Sequence, residues 1–201
     1  YSIGGGPGLT SSDDVAFLFA ADAGVFAATS AGNSGPGPGS LGSPGNAPWI
    51  TTVGASTQHR AFQGSASSSD GWEFFGASIT HGTLELPLID AALAGDELCF
   101  PGALDPGAVS GKIVLCKRGV FARVSKSLAV WMAGGEGMIL YNTFDAQNEV
   151  TDTHWVPSVH INNTDGLVIK GYIAGSGSPV AQINGGEKIY GDAPYMASFS
   201  S

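Results

Sequence analysis

Residues 31 to 39 read Ala-Gly-Asn-Ser-Gly-Pro-Gly-Pro-Gly, and no other stretch restricts the fold of this chain so tightly. Proline lacks the amide donor that a helix or a central strand needs, and the interleaved glycines resist ordering, so the run must be a loop. Apolar stretches at 25–30 and 49–53 flank it and read as buried strands. Upstream, Ser11, Ser12, Asp13 and Asp14 carry N-cap and first-turn chemistry. Residues 15–21 that follow are apolar nearly all round, which predicts a helix covered on most sides, with Gly24 as its stop. A helix followed by two apolar strands predicts a crossover and a parallel sheet. The 31–39 loop then leaves the carboxyl end of its strand, where ligands bind in open α/β sheets.

After Thr57 the character changes. Residues 64–71 are rich in Ser and Gly and read as a linker or turn. Short strands are expected at 73–80, 84–89, 112–117, 137–141, 157–161 and 180–183. Two helices interrupt them. The first, at 123–133, keeps Val124, Leu128, Trp131 and Met132 on one side and stops at Gly134 and Gly135. The second, at 164–174, is capped by Asn163 or Thr164, buries Leu167, Val168 and Ile173, and stops at Gly175. This predicts a compact α+β unit inserted into the chain of the first, with most of the stable core between residues 72 and 184.

With 43% hydrophobic residues the chain can bury a core. Its 8 basic residues against 17 acidic ones give a net charge of -9, which repels phosphate and argues against nucleic-acid binding. The bases Lys112, Lys117, Arg118, Arg123 and Lys126 read as a solvated strand-to-helix edge. No apolar run reaches the roughly 18–20 residues of a membrane span. Tyr1 is not an initiator Met and no signal peptide is recognisable, so the chain is expected to begin in mid-protein. The two cysteines, Cys99 and Cys116, form no Cys-x-x-Cys metal motif. A disulfide between them is the favoured reading and a pair of buried thiols the alternative. A bridge closing a loop of that size would stabilise by about 3 kcal/mol and would imply an oxidising compartment.

The residues also resemble a known family. Ser30-Ala31-Gly32-Asn33-Ser34-Gly35-Pro36 is similar to the segment around the oxyanion asparagine of subtilisin-like serine proteases. Residues 43–55 resemble the Pro-Gly loop and strand that follow it, Ser2-Ile3-Gly4-Gly5 the substrate-binding strand, and residues 197–201 the stretch before the nucleophile. The middle resembles a protease-associated (PA) domain. Its marks are Cys99-x-Pro-Gly-x-Leu104, the run 111–119, Ala133-Gly134-Gly135-Glu136-Gly137-Met138-Ile139 and Val156-Pro157-Ser158-Val159. The implied fold class is α+β, a partial subtilisin-like α/β segment plus a β-rich PA domain of short strands and two helices. Residues 1–57 would be the catalytic-domain segment, 58–186 the PA insert and 187–201 the return into the catalytic domain.

The resemblance implies serine endopeptidase chemistry outside the cell. Amide hydrolysis passes through a tetrahedral oxyanion, and an Asn side chain is a donor that needs no proton transfer, so Asn33 is the candidate catalytic residue. Asn-Ser-Gly is also ordinary turn chemistry. Ser2, Ile3 and Gly4 would pair with an extended substrate, and Ser30, Ala31 and Gly32 would line its pocket; an ordinary strand edge is the alternative. The family's triad Asp and His would lie upstream of a position like Tyr1 and its Ser beyond one like Ser201. The chain alone is therefore expected to be inactive.

Other motifs carry less. No Lys-Ser/Thr follows the glycines at 4–8, so a phosphate loop is not expected. His154, His160, Asp145 and Asp152 read as loop and strand-surface polarity, not a metal site. Asn162-Asn163-Thr164 is a glycosylation sequon. Trp72, Trp131 and Trp155 read as packing or half-exposed residues. Neither metal nor cofactor is expected. The expected partners are a peptide or protein substrate, the remaining parts of the catalytic domain and a possible homodimer through the PA domain, with no nucleic acid and no membrane. An isolated PA interaction module without catalysis is the alternative.

Overall fold

Alternation along two central strands sets the core. Strand β6 (Ile113–Lys117) and strand β7 (Gly137–Tyr141) are buried along nearly their whole length. Val114, Cys116, Met138 and Leu140 join one apolar cluster, while Ile113, Leu115, Ile139 and Tyr141 join a second. Successive side chains of a strand point to opposite faces, so both faces of this sheet are covered.

The structure, a computed structural model, describes residues 1–6 and 8–201. Pro7, part of the glycine-rich turn at 4–8, lies outside the described residues. The chain divides into two compact units, Tyr1–Arg60 with Tyr190–Ser201, and Ala61–Ile189.

In the first unit, helix α1 (Ser12–Asp22) precedes strands β1 (Ala28–Ser30) and β2 (Thr51–Val53), which pair in parallel. Tyr1 docks beside β1: its amino group donates to the Ala28 carbonyl and its own carbonyl accepts from Ser30. The expected cover over α1 is absent within this unit. Its one buried residue is Asp14, whereas Val15, Leu18 and Phe19 face outward, as do Val25 and Phe26 before β1.

The second unit adds β3 (Arg60–Ser68), β4 (Trp72–Ala77), β5 (Leu86–Asp90), β8 (Ser158–Ile161) and β9 (Val180–Tyr190) to β6 and β7. Together they form a closed barrel in the order β3-β4-β8-β7-β6-β5-β9. β5 through β8 run parallel, and β4 and β9 pair antiparallel to their neighbours. The stretch expected to be a linker at 64–71 is mostly strand β3. A side chain at Gly64 would lie 2.7 Å from the Asn184 carbonyl, and Ala66 is fully buried, so small residues serve close packing here.

Helix α2 (Pro106–Val109) is a single turn capped by Asp105. Helix α3 (Arg123–Met132) buries Lys126, Ser127, Ala129 and Val130, not the expected Trp131 and Met132, which are exposed. Helix α4 (Asn163–Gly175) is capped by Asn162, one residue before the expected cap. It buries Gly166, Ile169 and Ile173 but leaves Leu167 and Val168 outside. A side chain at Gly166 would lie 2.3 Å from Tyr141, so its absence lets α4 approach the sheet.

Candidate functional site

The loop after β1 is shaped by residues that cannot be exchanged for larger ones. Ala31 is buried and donates to the Val53 carbonyl across the sheet. Gly32 has φ of 105°, a conformation that costs other residues strain. A side chain at Gly35 would lie 1.7 Å from the Ser200 carbonyl oxygen. The C-terminal stretch clasps the loop through three contacts: Gly35 donates to Phe199, Ser201 donates to Gly32, and the Ser34 amide donates to Ser201 Oγ.

Asn33 sits between these anchors. It is exposed, and its amide has no partner among the described residues. Ser2, Gly4, Ser30, Ala31, Gly32 and Asn33 all line one cavity of about 260 Å3. Ile3 faces elsewhere, toward a neighbouring depression that also holds Asp14 and Ser43.

That depression contains residues the sequence did not single out for a site. Asp14 accepts from Ser43 Oγ at 2.8 Å and from the Ser11 amide at 3.0 Å. Burial alone would raise its pKa, but the hydrogen bonds from Ser11 and Ser43 outweigh it and hold the carboxyl below its ordinary value. Ser43 in turn accepts from the Gly5 amide and donates to the Gly6 carbonyl. The N-terminus of α1 thus anchors the backbone beside Gly4. Residues 14 and 43 are joined by tertiary contact alone, so no local motif could have announced them.

In the second unit three polar groups, Lys126, His160 and Arg123, depart from the sequence expectation. Lys126, read as part of a solvated edge, is fully buried. Its Nζ donates to the Leu98 carbonyl at 2.6 Å and lies 3.9 Å from the centre of the Phe121 ring. Desolvation brings its pKa down to about 8. His160, expected at a strand surface, is buried in β8. Its Nδ1 accepts from the Val150 amide at 2.9 Å and its Nε2 lies 2.8 Å from Asn142 Oδ1, which also accepts from Arg118. Burial pushes the imidazole down to about 4. Arg123 clamps Asp152 through two nitrogens, so this base too is paired and not simply solvated. Cys99 and Cys116 form a disulfide with Cα atoms 5.8 Å apart. Among the described residues no three His, Cys, Asp or Glu side chains gather as metal ligands, and no helix is long and apolar enough to cross a membrane.

Comparison with known proteins adds the wider context. A family model described as "PA domain" matches residues 84–169. Subtilisin-like protease SBT1.4 of Arabidopsis thaliana is 44% identical over 186 residues, covering 89% of this chain and 24% of that protein. Subtilisin-like protease SBT1.6 of the same plant is 40% identical, covering 99% of this chain and 28% of its own length. The chain therefore spans about a quarter of the relatives it matches. Among solved structures, the psychrophilic subtilisin-like protease Apa1 from Pseudoalteromonas sp. AS-11 aligns with a TM-score of 0.47 at 19% identity, over 98% of this chain and 56% of that one.

Proposed function

We propose that this chain, a segment of the subtilisin-like protease family with an inserted PA domain, supplies the oxyanion donor and the substrate strand of a secreted serine endopeptidase. The observation that carries the reading is Asn33, an exposed amide at the rim of the cavity lined by Ser2, Gly4, Ser30, Ala31 and Gly32. A donor held in place before the reaction stabilises developing negative charge without reorganising, and the anchors at Gly32, Ser34 and Gly35 set the backbone from which the Asn33 amide projects. Ser2, Ile3 and Gly4 offer an extended backbone to a peptide or protein substrate, with Ser30, Ala31 and Gly32 forming the pocket wall. The triad Asp, His and Ser come from the remaining parts of the catalytic domain. The outward apolar residues of α1, with Val25 and Phe26, suit burial against those parts. Secretion accords with the Cys99–Cys116 disulfide, a bond that persists in oxidising compartments. The PA unit serves substrate or protein interaction, active-site access or pairing with a second copy.

In the full-length protein, Asn33→Ala is expected to lower kcat by about 10²–10³ with KM little changed, a magnitude taken from another member of the same family. The chain alone should not react with a fluorophosphonate probe, as judged by intact mass; labelling of the chain itself would overturn this division of labour. One observation favours a second reading, a PA interaction module without catalysis: both large apolar clusters lie within Ala61–Ile189. Peptide binding by the chain, together with a full-length protein that hydrolyses nothing, would support it.

A further inference from the structure

A groove of about 340 Å3 opens on the outer side of the barrel, formed by β3, β4, β9 and the Thr83 turn. Its side chains mix uncharged hydrogen-bonding groups with the apolar Phe75, Ile183 and Ile189. Gln63, Gln182, Asn184, Ser65 and Thr83 contribute amides and hydroxyls, and Glu187 is the one charged residue in its described lining. The floor is organised before any ligand arrives. Asn184 Nδ2 donates to Ser65 Oγ at 2.8 Å and to Ser67 Oγ at 3.1 Å, and Ser65 Oγ donates to Glu73 Oε1 at 2.6 Å. Phe75 stands directly opposite Ser65 in the β3–β4 register and is 56% exposed, an apolar ring in a polar wall.

We infer that this groove binds a neutral sugar residue, with Phe75 as the stacking face and the Gln63 and Gln182 amides and the Asn184 carbonyl oxygen as hydroxyl partners. Each sugar hydroxyl is both donor and acceptor, and so are the Gln63 and Gln182 amides, whereas Glu187 accepts only. Asn184, whose amide nitrogen already donates to Ser65 and Ser67, offers its carbonyl oxygen. A ring face, electron-rich at its centre, suits the C–H side of a pyranose. An extended peptide is the poorer occupant because the main chain at Ile183 is already committed. Its N–H donates to Thr83 Oγ1 at 3.0 Å, and its carbonyl accepts from the Thr83 amide at 2.8 Å. No open edge remains at that point for an added strand.

The test is an NMR titration of the ¹⁵N-labelled chain with two neutral sugars. Cellohexaose represents a polysaccharide source and a released oligomannose glycan a glycoprotein source. Saturable shifts of the Gln63, Gln182 and Asn184 side-chain amides, with Kd in the millimolar range, are expected for at least one sugar. The sugar that binds identifies the source. Phe75→Ala and Gln182→Ala should each weaken binding about tenfold, with Phe75→Trp retaining it. Phe75 faces solvent, so its variants should unfold at the same temperature as the parent. The inference is overturned by shifts with neither sugar, by shifts that map away from the groove, or by undiminished binding in Phe75→Ala. It is equally overturned if an uncharged Gln/Ser octapeptide binds there and the sugars do not. The readout is binding, so it stands apart from whether the segment works in proteolysis.

Discussion

Lys126 is a cation held out of water by one carbonyl and one aromatic ring. Its pKa of about 8 in the fold lies below the ordinary 10.5, so the unfolded chain binds the additional proton between those values. Stability contributed by this residue therefore rises as pH climbs from 8 toward 10.5. Relative to Lys126→Met, the parent should gain roughly 2 kcal/mol across that interval, read as the difference in thermal midpoints at pH 7.5 and pH 10. Residue type alone gave no warning of this, because the run from Lys112 to Lys126 has the spacing of a wet edge. Burial came from a tertiary contact, the Leu98 segment beside Cys99 meeting α3. Asn33 is the opposite case: its loop sequence was distinctive enough to single it out before any coordinates, although its exposure could be learned only from the fold.

At the scale of elements, the connection between β7 and β8 is fastened by side chains more than by backbone ladders. His160 holds the Val150 amide, Arg118 reaches the Asn148 carbonyl, Arg123 grips Asp152, and His154 and the Trp155 amide both meet Ser127 Oγ. The groups facing His160 are Arg118, Arg123 and Asp152. Its folded pKa of about 4 lies below the ordinary 6.5, so the unfolded state takes up the proton first as pH falls. Stability from His160 is full above pH 6.5 and is lost progressively toward pH 4. Glu149, raised to about 6 chiefly by burial, works the other way between 4.5 and 6. His160→Gln should flatten the acid limb by roughly 2–3 kcal/mol, with the largest change in midpoint between pH 6.5 and pH 4.5. Hydrogen-exchange protection factors across residues 143–155, taken relative to the intrinsic rate at each pH, should fall in the parent over the same range. The strands and helices themselves were largely legible, since β6, β7 and β8 are short β-rich runs bounded by turns. β3 was not, because Ser, Gly and Ala favour no strand locally and are selected here by close contact with β9.

For the molecule as a whole, the uneven distribution of core has a measurable consequence. The two apolar clusters lie in Ala61–Ile189, whereas the first unit exposes Phe19, Val25 and Phe26. Limited proteolysis should cut within residues 1–57 first and leave a resistant product near 61–189, identified by mass; trimming in the reverse order would contradict this. The sequence by itself determined the loop at 31–39 and the parallel pairing around it, because glycine, proline and short apolar runs act through local backbone rules, and its resemblance to known segments made Asn33 a candidate. The tertiary structure alone decided which cations are buried, which face of α3 and α4 turns inward, and how Asp14 reaches Ser43. Those outcomes depend on contacts between residues far apart in the chain, whose cost or gain is set by desolvation at the contact and not by any neighbour in sequence.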